Sequence, residues 1–254
     1  MRTVAILSRK GGSGKSTLSY FLAHGMAHGV ADKIGSDVWT VLLRTDNRTR
    51  RPSDINSKRR YMVSSVPGDE TDKEHIERVV RMTSEIPESF LVMDGGANRR
   101  NYDYAACAIA DIVLIPVGCS EEDLETADAD YEDFLKFIAT HERQTEIYFV
   151  RNKWPGVQRK YDSLMTKPWI QRYIPRWEEQ GILFPHIIPD MPSLMDLANP
   201  EDPQATLLLQ KLSAGFAEVI ATRIEYPPMI RYLNGDSKGD GHTTVATPIL
   251  EAAE

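Results

Sequence analysis

Residues 9 to 17 read RKGGSGKST, which sets two lysines and three glycines around one short turn. Successive backbone N–H groups can surround a phosphate only where side chains do not crowd it. Gly11, Gly12 and Gly14, with Ser13 between them, meet that condition. Lys15 then supplies charge against β and γ phosphates, Ser16 a hydroxyl for Mg2+, and Thr17 a further donor to the α phosphate. The apolar run TVAIL (3–7) precedes the turn, and the helical stretch STLSYFLAHGMAH (16–28) follows it. The helix therefore aims its positive N-terminal end at the same anion. A flexible glycine turn with exposed lysines is the bland alternative, and the strand–turn–helix context argues against it. The ligand implied is ATP with Mg2+.

ATP hydrolysis also needs a carboxylate for the metal and a group that positions water. The run FLVMDGG puts Asp94 at the end of an apolar strand, placed to hold Mg2+ through a water. Lys10 has no part in this minimal set. With it, the stretch KGGSGKS resembles the deviant Walker A loop, KGGxGK[ST], of the ParA/MinD family of ATPases. The resemblance implies an ATP-bound homodimer in which Lys10 reaches the partner's phosphates. A cation there would offset the charge of two triphosphates brought face to face.

Four further segments carry the resemblance. VLLRTDNRTR is similar to a strand that runs into Asp-x-Asp, which implies that Asp46 orients the attacking water; Arg44 stands where the first aspartate should be. ADIVLIPVGCSEEDLETA resembles a strand-to-helix passage beside the site. YFVRNKW puts Asn152 where the family's adenine-contacting asparagine lies, and IIPDMPSLMDL puts Pro189 and Asp190 in the loop flanking the base. The expected catalytic set is Lys10, Lys15 and Asp46, with Ser16 and Asp94 for metal. The nucleotide set is Gly11, Gly12, Ser13, Gly14, Lys15, Ser16, Thr17, Asn152, Pro189 and Asp190.

To position these groups the chain must alternate strands and helices. Strand-like runs fall at 3–7, 38–43, 61–66, 90–94, 112–117, 146–151 and 182–188, and helical patterns at 16–28, 72–86, 104–110, 121–138 and 203–224. Leu124, Ala127, Tyr131, Phe134, Leu135 and Ile138 form a buried stripe at helical spacing. Short, mostly apolar strands between helices predict an α/β fold: a mostly parallel, doubly wound sheet covered on both faces, with a P-loop of the deviant Walker A type. A single ATPase domain is expected over 1–226. Residues 227–254 turn rich in Gly, Pro, Thr and Asp and read as a loosely held tail.

At 254 residues and a net charge of -7, the whole molecule is not a polyanion binder. From Arg44 to Arg60, however, Arg44, Arg48, Arg50, Arg51, Lys58, Arg59 and Arg60 face only Asp46 and Asp54. Such a patch suits nonspecific DNA in a salt-dependent way, or is a solvated basic loop or an interface to an acidic protein. The acidic run from Glu121 to Asp133 reads as a solvated outer face, or as a dock for a basic partner. Arg99 and Arg100 could sense nucleotide or lie on the surface. His24 and His28 sit four apart, but Gly25 takes the place of a metalloprotease glutamate, so they read as surface or packing histidines. Cys107 and Cys119 make neither a disulfide framework nor a zinc spacing.

No stretch approaches the roughly 20 apolar residues of a spanning helix, and the expected location is cytoplasmic with no membrane contact. The function expected is a ParA-like ATPase of plasmid partition or DNA segregation, with weak hydrolysis stimulated by a partner protein. The alternatives are an accessory ATPase of conjugative transfer or mobilisation with a protein client, and a nucleotide-binding scaffold that never hydrolyses.

Overall fold

A computed structural model describes residues 1–44, 60–65, 72–96, 100–140, 144–198 and 205–235, with the side chains of 72–75, 100, 195 and 198 left out. Among the described residues seven strands form one sheet: β1 (Arg2–Ile6), β2 (Thr40–Arg44), β3 (Met62–Ser65), β4 (Phe90–Asp94), β5 (Ile112–Val117), β6 (Glu146–Trp154) and β7 (Leu183–Pro189). Their spatial order is β3-β2-β4-β1-β5-β6-β7, and every pairing is parallel. The reason lies in the strand sequences. β5 is IVLIPV with all six residues buried, so it needs cover on both faces. Successive side chains point to opposite faces, and they sort accordingly. Val4, Ile6, Ile112 and Leu114 join one core, while Ala5, Leu7, Val113 and Ile115 join the other.

The first core packs under α1 (Lys15–His24), a π-helical segment (Gly25–Val30), α2 (Ala31–Ile34), α8 (Leu207–Arg223) and α9 (Pro227–Leu233). The sequence reading expects one helix over 16–28. The structure instead widens it into the π turn just where α8 presses closest. A Cβ on Gly25 would lie 2.1 Å from the Ser213 carbonyl oxygen, and one on Gly29 2.3 Å from the Ala214 Cβ. Two glycines therefore let the helix backbones meet. The second core lies under α3 (Asp72–Glu85), α4 (Arg100–Ile109), α5 (Glu121–Ile138), α6 (Gln158–Met165) and α7 (Pro168–Glu179).

The expected tail does not begin at Pro227. Pro227 opens α9, whose Met229 is buried, and Arg231 pairs with both carboxylate oxygens of Glu88. Tyr226, fully buried just before it, donates to the Glu88 carbonyl at 2.7 Å. Residues 236–254 lie outside the described residues.

A parallel sheet brings the carboxyl ends of its strands to one edge. There β1 sits between β4 and β5, so the chain leaves β1 on one side and returns on the other. Such a switch point opens a crevice outside the strand ends.

Candidate functional site

At this edge lies the loop from Ser8 to Gly14, which joins β1 to α1. Gly12 and Gly14 hold φ of 80° and 87°, the left-handed region that glycine tolerates. A Cβ on Gly11 or Gly12 would meet nothing, so this side of the loop is open. Helix α1 begins on Gly14 with no side-chain cap and no acidic residue in its first turn, which leaves its first N–H groups to face the crevice. Lys15 is buried, and its Nζ donates to the Lys10 carbonyl at 3.0 Å. Its charge is thus folded back under the loop.

Asp94 ends β4 and is fully buried. Burial pushes its carboxyl up to about 6, against the pull of the Ser16 hydroxyl and of the Arg44 and Lys15 charges, which draw it down. Gly95 must follow: a Cβ there would lie 2.7 Å from Leu7 and 2.9 Å from the Ile6 carbonyl oxygen. Ser16 and Asp94 supply the hydroxyl and carboxylate oxygens that Mg2+ takes, so these residues fit the metal. They fit it alongside a cation already in place. β2 and β4 pair Arg44 with Asp94, and the Arg44 Nε lies 3.9 Å from the Asp94 Oδ2. At this separation two unit charges attract by about 4 kcal/mol at an effective dielectric near 20, an attraction that offsets much of the cost of burying them.

Asn152, at the end of β6, is buried beneath the loop. Its Nδ2 donates to the Ser13 carbonyl at 2.9 Å and, more weakly, to the Gly14 carbonyl at 3.4 Å. Two acceptors on one side fix the amide orientation. The side chain thus holds the loop in place, a task the sequence does not announce. Pro189 and Asp190 come to the same edge, with the Asp190 N–H donating to the Trp154 carbonyl. The residues expected around a nucleotide, Gly11 to Thr17, Asn152, Pro189 and Asp190, lie at this one edge of the sheet with Asp94.

Lys10 points away from the loop's own interior. Its Nζ lies 2.8 Å from Asp123 and 3.3 Å from Glu122, at the start of α5. Burial draws its pKa down, but the bonds and charges of these two carboxylates outweigh that and raise it. Arg9 is held further along α5: Nε and the backbone N–H on Asp130, and a second guanidinium nitrogen 2.8 Å from Asp133. Asp130 is fully buried. The acidic run is thus more than a solvated outer face. Asp123 also closes the capping box with Ser120 that starts α5, and Asp128 takes Arg176 and the Trp177 indole.

Lys153 is a site residue that the sequence reading misses. It holds φ of 61° and lays its side chain across the loop, with Nζ 3.4 Å from the Gly12 carbonyl oxygen. Its place directly after Asn152 was the available signal. Asp46 and the basic residues Arg48, Arg50, Arg51, Lys58 and Arg59 lie outside the described residues, as do Arg99 and the Arg100 side chain. Arg60, at the end of that segment, pairs with Asp32 and Asp37. His24 is a packing residue: its Nδ1 meets the Ser213 hydroxyl at 3.0 Å and its ring stacks on His28. Burial pushes the Cys107 thiol up to about 12, which leaves it unreactive.

No protein-family model matches the chain, and no curated protein matches it. Solved structures do. The cell division ATPase MinD of Pyrococcus furiosus is 15% identical, with 87% of this chain and 99% of that one covered at a TM-score of 0.61. An ATP complex of McdA from Cyanothece is 14% identical, covering 87% and 96% at 0.56. A structure described as a plasmid partition protein of Borrelia burgdorferi B31 bound to AMPPNP is 13% identical, covering 93% and 99% at 0.54. Identities this low establish the fold, which is that of the ParA/MinD-type P-loop ATPases. Among the described residues, no helix is long and apolar enough to cross a membrane.

Proposed function

We propose that the chain is a ParA-like ATPase that binds ATP with Mg2+, closes into a homodimer, and acts in DNA or plasmid partition from the cytoplasm. In this reading the N–H groups of Gly11 to Thr17 hold the phosphates, Lys15 neutralises them, and Ser16 and Asp94 hold the metal. Asp46 positions the water, and Asn152, Pro189 and Asp190 border the base. Hydrolysis is weak until a partner protein stimulates it, and the basic stretch around Arg48 to Arg59 meets DNA phosphates. The solved structures with ATP and AMPPNP on the same fold support the nucleotide, and the one described as a partition protein supports the role.

The observation that carries the reading is the open face of the loop. Gly11 and Gly12 leave room for a second backbone, and Lys10 stands at that rim rather than inside its own pocket. Lys10 must leave Asp123 and Glu122 to reach a partner's phosphates, an exchange of one set of anions for another. Sedimentation with ATP and with ADP tests this. We expect a dimer with ATP alone, lost in Lys10→Ala while the monomer still binds nucleotide; a variant that dimerises as the wild type does would refute the in-trans role.

Arg44, a cation where the resembling family has an aspartate, favours a second reading: a slowly hydrolysing accessory ATPase of conjugative transfer with a protein client. Retention of nonspecific DNA at low salt in the ATP state alone supports partition; no retention in any nucleotide state supports the client.

A further inference from the structure

Arg44 is placed with more constraint than a chance surface arginine. Its strand register sets it level with Asp94. Its side chain is 13% exposed, its Nε is 3.9 Å from the Asp94 carboxylate, and its guanidinium lies 5.8 Å from the centre of the Tyr20 ring of α1. Tyr20 is itself buried. A planar guanidinium held against an aromatic ring is pre-organised.

Resting on the nucleotide-binding reading above, we infer that Arg44 supplies at Asp94 part of the positive charge that a divalent cation would otherwise bring, so that nucleotide binding depends only weakly on Mg2+. Two physical effects act in the same direction. Arg44 already neutralises the carboxylate that would attract the metal, which lowers the site's pull on a dication. It also adds a fixed cation at the end of the crevice into which the phosphates enter, which favours the metal-free polyphosphate. Mg2+ still has Ser16 and Asp94 to bind; what changes is how much the nucleotide needs it. Arg44 is in this sense a positioning residue, acting on the ligand through Asp94 and the site's charge.

Calorimetric titration of the full chain with ADP and ATP, in excess magnesium and in EDTA, tests the inference. In the wild type the affinity should fall less than about tenfold on removing magnesium. Arg44→Lys, which keeps the charge, should behave alike. Arg44→Gln and Arg44→Asp should each lose about a hundredfold or more in EDTA, a loss restored by magnesium. A merely structural role would weaken binding equally in both conditions and leave the ratio unchanged. Should Arg44→Asp fail to fold, judged by its thermal transition, Arg44→Gln carries the comparison. A wild type that loses affinity in EDTA as steeply as Arg44→Gln overturns the inference alone. A wild type that binds no nucleotide in either condition overturns the nucleotide-binding reading and the inference with it.

Discussion

Gly14 and Asn152 give the sharpest test of how the loop is held. Gly14 sits at φ 87°, and a Cβ there would lie 2.1 Å from the Asn152 Nδ2. Gly14→Ala therefore carries two separable costs. Holding an L-residue in the left-handed region costs about 1–2 kcal/mol. Expelling the amide breaks its hydrogen bonds to the Ser13 and Gly14 carbonyls, at about 1 kcal/mol each. The sum is about 3–4 kcal/mol. Asn152→Ala alone loses the same two bonds, about 2 kcal/mol. In the double variant there is no amide left to expel, so only the backbone cost adds to that of Asn152→Ala. The double variant should be destabilised by about 3–4 kcal/mol, where independent effects would give about 5–6 kcal/mol, a coupling of about 2 kcal/mol. Urea unfolding of the four proteins without ligand measures it. If the two single effects add to within about 0.5 kcal/mol, the amide is not what meets the new Cβ, and the account of the loop is wrong.

Two further predictions concern stability elsewhere. Burial, with the charge of His28 second, pushes His24 down from 6.5 to about 4. Between those values the unfolded chain binds more protons, so stability rises with pH, is complete above about 6.5, and is lost as pH falls toward 4; the whole effect is roughly 3 kcal/mol. Urea midpoints between pH 4 and 7 should show that slope in the wild type and a flatter one in His24→Gln. Met229→Ala should cost about 2–4 kcal/mol, because Met229, on the inner face of α9, is 1% exposed. A midpoint unchanged by this substitution would return residues from 227 to the status of a loose tail.

The parts of the site legible in the sequence are those written in a few adjacent residues. The glycines and Lys15 follow from what a phosphate needs, and Asp94 from its place at the end of an apolar strand. Partnerships across the fold are not written that way. Arg9 has no partner near it in sequence, and only the fold brings Asp130 and Asp133 of α5 against it. Asn152 reads as a base contact, while its nearest acceptors are the loop carbonyls. Among the elements, β4 and β5 are the most legible because every residue of each is buried, on both faces of the sheet. α7 escapes the sequence reading, although Ile170, Tyr173, Ile174 and Trp177 are spaced for one buried face. Pro175 inside it argues locally against a helix, and packing of that face overrides the objection. The start of α9 is hidden likewise, since two prolines suit a first turn as well as a tail.

The charges around the loop bear on what an anion there would require. Among the described residues, Arg9, Lys10, Lys15, Arg44 and Lys153 border it, and so do Asp94, Glu122, Asp123, Asp130 and Asp133. With Asp190 at the same edge the cations do not outnumber the carboxylates, so the loop offers a triphosphate no surplus of side-chain charge. The N–H groups at the start of α1 contribute only about half an elementary charge, felt within the first turn. Further positive charge has to be freed or brought in. Freeing Arg9 would strand the buried Asp130 carboxylate, a cost of about 3–5 kcal/mol. Freeing Lys10 leaves Asp123 bonded to Ser120 and Glu122 in water, which costs far less. Of the two cations that α5 holds, Lys10 is therefore the more readily released, and a second copy offering its own Lys10 would add to the charge over bound phosphates.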